Sequence, residues 1–338
     1  MAAVNSAGLL LTVVVPVFNT AGELLNHCFS SLPFGDEGRF EAVVVDDGSN
    51  KETQECLAAC ALACGAQLKL FRQSNGGQSA ARRHGVRLAH GAYVMFLDSD
   101  DYLDTESFVS LLDILETHGP DILGFNYEKV DESGQTIQSF ARFDRLYGDW
   151  DKRELIRTSC SLCCQVYRRD LIVNYLECAP DDLRIGEDLS VAVPVAVAAH
   201  VEKGTSLNVY RYVQHADSIT HKVDERNVFD IMKACSHALA QADPDLRLEY
   251  KEELEWVCIL HILIFGSTRA IWYFGPKRRY YKDLLSFVNT MYPAWRGNKY
   301  LLAKHYARLA DVRLAMNGHW RTYVVKKRLK GVLSKLRR

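Results

Sequence analysis

The sequence predicts an α/β fold: a mostly parallel central sheet flanked by helices, followed by a helical C-terminal extension. Three observations carry this. Over the first 125 residues, short apolar runs alternate with stretches of helical spacing. The runs are apolar at successive positions, which is the pattern of strands covered on both faces, as in a parallel sheet built from β-α-β units. After Val223 only helical spacing remains.

In chain order, strands are read at Leu9–Pro16, Glu41–Asp46, Gln67–Arg72, Tyr93–Leu97 and Asp121–Phe125, because each is a short β-branched or aromatic run bounded by turn formers. Helices are read between them at Glu23–Leu32, Glu52–Cys64, Gln78–His90 and Glu106–His118. From Asn126 to about His221 the pattern is mixed, with a hairpin expected around Asp131-Glu132-Ser133-Gly134. Gly186-Glu187-Asp188 opens a helical stretch to about Ala199, which Pro194 should interrupt. Further helical segments are expected near 225–241, 246–272, 276–291 and 298–316. The implied organisation is a domain over 1–222, with halves 1–125 and 126–222, a helical region over 223–317 and a basic amphipathic helix over 318–338.

With 338 residues, 48% of them hydrophobic, the chain can bury a sizeable core and has length for two structural units. Its 41 basic and 42 acidic side chains leave a net charge of −1, which argues against nucleic acid as a partner. The ten cysteines are irregularly spaced, as in a reduced protein rather than a disulfide framework. Cys56, Cys60 and Cys64 share one helix face and read as small core residues, and Cys160, Cys163 and Cys164 lack the second ligand pair of a zinc site. The first residues do not have the pattern of a secretory signal and no 18-residue apolar run occurs, so a soluble or peripheral protein is expected.

Chemistry concentrates where strands end. Asp98-Ser99-Asp100-Asp101 follows the apolar run Tyr93–Leu97, placing three carboxylates where a buried strand emerges. Hard cations such as Mn²⁺ or Mg²⁺ take such oxygen ligands, using one or two carboxylates and leaving positions for substrate phosphates. The plainer alternative is that one Asp caps the helix starting near Thr105 and the others are solvated turn residues. Pro16-Val17-Phe18-Asn19 and Asp46-Asp47-Gly48-Ser49 also lie at strand ends, and in a parallel sheet all three clusters should meet at one edge, where ligands bind.

The succession VVVPVFN (13–19), VVVDDGS (43–49), NGGQSAARRHG (75–85), FLDSDD (96–101) and GED (186–188) resembles the family 2 glycosyltransferases, whose nucleotide-diphospho-sugar transferase (GT-A) fold is Rossmann-like. The resemblance covers roughly residues 10–220. It implies that Pro16, Val17 and Phe18 line a uridine pocket, that Asp47 contacts uracil or ribose, and that Asn75 and Arg82 help hold the nucleotide. Arg83 stands where the family often has Asn. Asp98 and Asp100 form the DXD motif, with Ser99 between them: Asp100 ligates the metal and Asp98 reaches the ribose or a metal-bound water. Asp188 is the implied general base, which takes the acceptor hydroxyl's proton as it attacks from the face opposite the diphosphate and inverts the anomeric centre. Glu187 is implied to orient that base or contact the acceptor, although a helix N-cap is the simpler account of the acidic pair. Arg211 and His215 lie in a segment that closes over the diphosphate in relatives, and His215 could complete the metal shell. Trp150, Tyr167 and Arg168 are candidates for the acceptor cleft.

Between Arg321 and Arg338 there are eight Lys/Arg and no Asp/Glu, and Trp320, Val325, Leu329, Val332, Leu333 and Leu336 keep helical spacing. A basic amphipathic helix of this kind suits an anionic membrane surface, a partner protein being the other possibility. The expectation is an inverting, metal-dependent hexosyltransferase at the cytoplasmic face of the cell membrane. It would use a UDP-sugar and a glycan or lipid-linked acceptor in surface polysaccharide or glycoconjugate synthesis. The alternatives are an inactive nucleotide-sugar-binding or scaffold protein, and a sugar nucleotidylyltransferase, which would need a Gly-rich entry loop not found after the first strand.

Overall fold

The computed structural model describes residues 8–35, 38–214, 227, 229–274, 278–303, 322 and 325. Its strands are β1 (Leu11–Val17), β2 (Phe40–Asp46), β3 (Leu68–Arg72), β4 (Tyr93–Phe96), β5 (Tyr102–Leu103), β6 (Ile122–Val130), β7 (Thr136–Phe140), β8 (Gly148–Asp149), β9 (Gln165–Arg168) and β10 (Glu202–Val213). Among the described residues they form one sheet in the order β3-β2-β1-β4-β9-β6-β10-β5, with β7 on β6 and β8 on β10. The helices are α1 (Gly22–Ser30), α2 (Lys51–Cys64), α3 (Gln78–Leu88), α4 (Thr105–His118), α5 (Lys152–Thr158), α6 (Arg169–Glu177), α7 (Glu187–Ala198), α8 (Asp230–Gln241), α9 (Pro244–Glu249), α10 (Lys251–Cys258), α11 (Ser267–Phe274), α12 (Arg278–Met291) and α13 (Lys299–Leu302), with a π-helix over Ile259–Gly266 between α10 and α11.

The first half is the expected parallel arrangement: β3, β2, β1 and β4 run the same way, and β1 and β2 are buried at every position. The predicted fifth strand, β6, is not the next neighbour. The four-residue β9 lies between β4 and β6 and runs antiparallel to both, so the sheet is mixed from that point on. Its sequence, QVYR, is too short to stand out from the Cys- and Ser-rich stretch before it, yet Val166 and Tyr167 are fully buried. The hairpin forms where the turn residues place it, with the Asp131 carboxylate accepting from the amides of Ser133 and Gln135.

The helix at Glu187 is not interrupted at Pro194: every residue from Leu189 to Val197 is buried, and that packing offsets the backbone bond a proline cannot make. The helical pattern of 246–272, by contrast, breaks into α9, α10, the π-helix and α11. The residues Cys56, Cys60 and Cys64 do share a helix, and the Cys60 thiol donates to Asn26 Oδ1 at 3.3 Å. The C-terminal helices share the apolar core of the sheet and are also tied to it by charge. Buried Glu253 on α10 pairs with Arg153 of α5 at 2.9 Å and with Lys299 at 3.1 Å, and Asn298 donates to Glu255 at 2.9 Å. Among the described residues no helix is long and apolar enough to cross a membrane. The helix expected over 318–338, apart from 322 and 325, and the segment holding His215 lie outside the described residues.

Gly91 tests how firmly the central strands are held. A Cβ there would stand 2.4 Å from the Thr12 amide nitrogen and 2.6 Å from the Leu11 carbonyl carbon, in backbone fixed by strands on both sides. Gly91→Ala is expected to cost about 3 kcal/mol or more, as overpacking against an immovable neighbour does. Urea denaturation reads this, and an unchanged midpoint would show that β1 can yield.

Candidate active site

Three strand ends do meet. The Asp47 amide donates to the Val17 carbonyl at 2.8 Å, the Asn19 amide to Ser49 Oγ at 3.0 Å, and Thr20 and Ser99 share a hydroxyl hydrogen bond of 2.7 Å. Pro16 and Val17 are buried at the end of β1, and Phe18 projects beyond them with 52% of its surface exposed, leaving an aromatic face open at the rim. Asp46 closes its own turn, accepting from the Ser49 amide. Asp47 instead faces the glycine turn beside exposed Asn75: its Oδ1 accepts from Gln73 and the Gly76 amide, and its Oδ2 from the Gly77 amide, each at 2.8 Å. A carboxylate oxygen has two lone pairs, so Oδ2 keeps one for a ligand.

Arg82 organises the rest. It lies on α3, which packs on β1 and β2, and its side chain is 2% exposed. One guanidinium nitrogen donates to Asp98 Oδ1 at 2.8 Å and the other to Asp188 Oδ1 at 2.5 Å. Asp98 and Asp188, 90 positions apart in the chain, are thus held by one cation. Asp98 also accepts from Gln78 Nε2 at 2.9 Å and from the Cys163 thiol at 3.5 Å, and Asp188 Oδ2 accepts from the Leu162 amide at 3.1 Å. Arg83, next door, turns away to the carbonyls of Leu176 and Ala179 and to Asp181, joining α3 to the end of α6.

Neither simple capping account applies. Asp104 caps α4, accepting from the Ser107 amide at 3.0 Å, so no carboxylate of the 98–101 cluster is needed there. The cap of α7 is Gly186, with φ of 85° and no side-chain hydrogen bond; a Cβ there would also stand 2.9 Å from Ile231 and Ala234. Glu187 and Asp188 follow it in the first helical turn, free of the capping role.

Negative charge accumulates in this cleft. Burial, reinforced by Asp98 and Asp100, drives the Asp101 carboxyl well above the usual carboxylate range. Burial and Asp188 push Glu187 up to about 7. Asp101 is a structural member: the Tyr210 hydroxyl donates to it at 2.6 Å and the Val213 amide at 2.8 Å, and the Asp98 amide donates to Tyr210 at 3.2 Å. This excess of carboxylates suits a hard divalent cation, with Asp98 and Asp100 the oxygen donors nearest the strand end. Among the described residues no group of three or more His, Cys, Asp or Glu side chains forms a ready-made cage.

Other expected residues sit elsewhere. Trp150 is 4% exposed, packed edge-on against Phe143 and covered by Arg142, and so belongs to the core under β6. Tyr167 is buried in β9, and Arg168 pairs with Asp121 at 2.9 Å. Arg211 joins Glu128 at 2.5 Å and Asp104 at 3.0 Å, linking β10 to β6 and to the cap of α4. Cys163 and Tyr210, which touch Asp98 and Asp101, were missed as site residues, because the cysteine was weighed only as a zinc ligand and a phenol within a strand reads as core.

The model of the family described as Glycosyl transferase family 2 matches residues 12–176. EpsJ of Bacillus subtilis, described as an uncharacterized glycosyltransferase, is 25% identical over 218 residues, covering 62% of this chain and 63% of that protein. YibD of Escherichia coli, described in the same way, is 31% identical over 173 residues, 48% of this chain and 49% of that protein. TarS of Staphylococcus aureus, a poly(ribitol-phosphate) β-N-acetylglucosaminyltransferase, is 23% identical over 239 residues, 69% of this chain and 41% of that protein. The chain spans less than two thirds of the length of these relatives. The crystal structure of S. aureus TarS 1-349 in complex with UDP-GlcNAc superposes with a TM-score of 0.71 at 20% identity, covering 95% of this chain and 92% of that one. The fold is therefore the GT-A fold, helical extension included.

The raised Glu187 carboxyl has a measurable consequence. Its folded value is about 7 against an ordinary 4.5, so between these values the folded state binds more protons than the unfolded. Its contribution is therefore most favourable below the lower value and declines as pH rises through the upper one. Glu187→Gln removes this dependence, and its thermal midpoint should gain on that of the wild type across the same window in ligand-free protein. A difference between the two that is constant from about pH 4 to pH 8 would contradict the assignment.

Proposed function

We propose, from the match of residues 12–176 to the model of glycosyl transferase family 2, that the chain belongs to that family and transfers a hexose from a UDP-sugar to a hydroxyl of a glycan or lipid-linked acceptor, with inversion. The observation that carries the reading is Arg82, whose two terminal nitrogens hold Asp98 and Asp188 on one buried guanidinium. A nucleotide-side carboxylate and an acceptor-side carboxylate are thereby set at a fixed separation, as a direct displacement requires.

On the nucleotide side, Phe18 offers a face for the base, and the free lone pair of Asp47 accepts from a ribose hydroxyl or the uracil imide. Uridine is favoured because TarS, which shares the fold, binds UDP-GlcNAc. Asp98 and Asp100 would hold Mn²⁺ or Mg²⁺, which when bound clamps the diphosphate and stabilises charge on the leaving group. On the acceptor side, Asp188 has one lone pair left on each oxygen beyond its bonds to Arg82 and Leu162, and it takes the hydroxyl proton. A second reading gives the proton to Glu187, because a carboxyl near 7 is matched to neutral pH. Surface polysaccharide or glycoconjugate synthesis at the inner membrane face, reached through the basic segment 318–338, completes the proposal.

A panel of UDP- and GDP-sugars assayed for nucleoside diphosphate release, with Mn²⁺ and with EDTA, tests the activity. Turnover is expected with a UDP-sugar and should disappear on chelation. Asp188→Asn should lower kcat by about 10²–10⁴ with the donor KM little changed. A comparable loss in Glu187→Gln alone would transfer the base role to Glu187. A wild type that binds UDP but turns over no donor would instead indicate a binding or scaffold protein. Separately, deleting 321–338 should abolish sedimentation with anionic liposomes; unchanged sedimentation would refute the membrane role of that segment.

A further inference from the structure

The C-terminal helices bring a cation to the acceptor side of the cleft. Ile231 of α8 is wedged between Gly186, which opens α7, and Gly266, which ends the π-helix: a Cβ on either glycine would lie 2.9 Å or 3.7 Å from Ile231 side-chain carbons. The start of α11 is therefore one side chain away from the helix end that carries Glu187 and Asp188. The π-helix widens the backbone here, a distortion that recurs at functional sites. His261 and Phe265 meet edge to face at 5.5 Å, and Phe265 leaves 49% of its surface exposed.

Arg269, four positions further on, is half-buried, and among the described residues its guanidinium makes no hydrogen bond or ion pair. Burial lowers its pKa, and the charges that act against this are those of Tyr273 and Glu187. A closed ion pair would hold the arginine high and the glutamate low, whereas Arg269 is lowered and Glu187 is raised to about 7. The two share a field without satisfying each other. His261, driven down to about 4 by burial and by Arg269, is neutral near pH 7 and adds no second cation there. No Arg269 nitrogen is among the buried polar atoms left without a partner, so the guanidinium stays open to a ligand, and its planar fork matches a phosphate or carboxylate.

We propose that Arg269, with the exposed Phe265 four positions before it in the chain, is an acceptor-recognition site, and that it takes an anionic group, phosphate or carboxylate, carried by the acceptor near its reacting hydroxyl. This rests on the glycosyltransferase reading for its place in a reaction but not for the binding event itself. Phe265 supplies an apolar face for the sugar or polyol next to that anion. The inference narrows the acceptor class from any hydroxyl-bearing glycan to an acidic one.

The test is titration of the full chain, saturated with UDP, with glycerol 3-phosphate, glucuronic acid, glycerol and glucose as probes. At least one anionic probe should bind tenfold or more tightly than its neutral counterpart. Whichever of the first two binds more tightly identifies phosphate or carboxylate. Arg269→Gln should abolish that preference, Arg269→Lys should regain part of it, and UDP affinity reports whether the nucleotide site is intact in each variant. Equal binding of neutral and anionic probes by the wild type, or a preference that survives Arg269→Gln, overturns the proposal. So does a loss of UDP affinity in Arg269→Lys as large as the loss of probe affinity, which would place the residue on the donor. If no donor sugar is turned over yet the preference is seen and lost as described, the glycosyltransferase reading fails and the anion site stands.

Discussion

A single buried guanidinium sets the geometry on which the cleft depends. Arg82 is almost inaccessible to water, and a charge in that position is tolerable only with opposite charges in good hydrogen-bonding geometry. It has two, Asp98 at the end of β4 and Asp188 in the first turn of α7. Because α3 is packed against β1 and β2, the arginine cannot drift to follow one partner at the expense of the other. The separation between the two carboxylates is thus a property of the sheet. Gly186 serves the same constraint from the other side, since its left-handed backbone and contact with α8 bring α7 in at the angle that points Asp188 at Arg82.

One cation does not balance the acids around it. Asp188, Asp98 and Glu187 lie around Arg82, with Asp100 and Asp101 next to Asp98, and Asp101 and Glu187 respond by holding their protons more tightly. Among the described residues this gathers oxygen donors and negative charge in excess, an arrangement that suits a divalent ion or a cationic group. Cys163 belongs to the same balance. Burial keeps its thiol protonated, so it is available as a weak donor to Asp98 rather than adding another negative charge.

The parts legible in sequence were those whose signal is local. The four parallel strands and the helices between them were readable because each is a run of one periodicity bounded by turn residues, and the meeting of 16–19, 46–49 and 98–101 followed from the parallel order itself. What was hidden depends on contacts between distant segments. A strand as short as β9 has no periodicity to detect, although it decides that the sheet becomes mixed. Arg82 and Arg83 are adjacent and chemically identical; only the tertiary fold sends one into the cleft and the other to the carbonyls ending α6. Trp150 was a candidate for the acceptor cleft and Arg211 lay in a segment that the resemblance has closing over the diphosphate, whereas packing against Phe143 and pairing with Glu128 and Asp104 use them up in the scaffold.

The helical region shows why a site can be completed by sequence that carries no motif. Its attachment is unusually polar for a core: Glu253, fully buried, is neutralised by Arg153 from the sheet domain and by Lys299, so undocking these helices would strand a buried carboxylate. This holds the π-helix near the start of α7 through Ile231, and with it the segment that carries Arg269, whose charge is felt by Glu187. In the proposed reading the nucleotide is held by strand ends within the residues that match the family model, and the acceptor by α7 and the C-terminal helices beyond that match, so recognition by motif gives no help with the residues that select an acceptor.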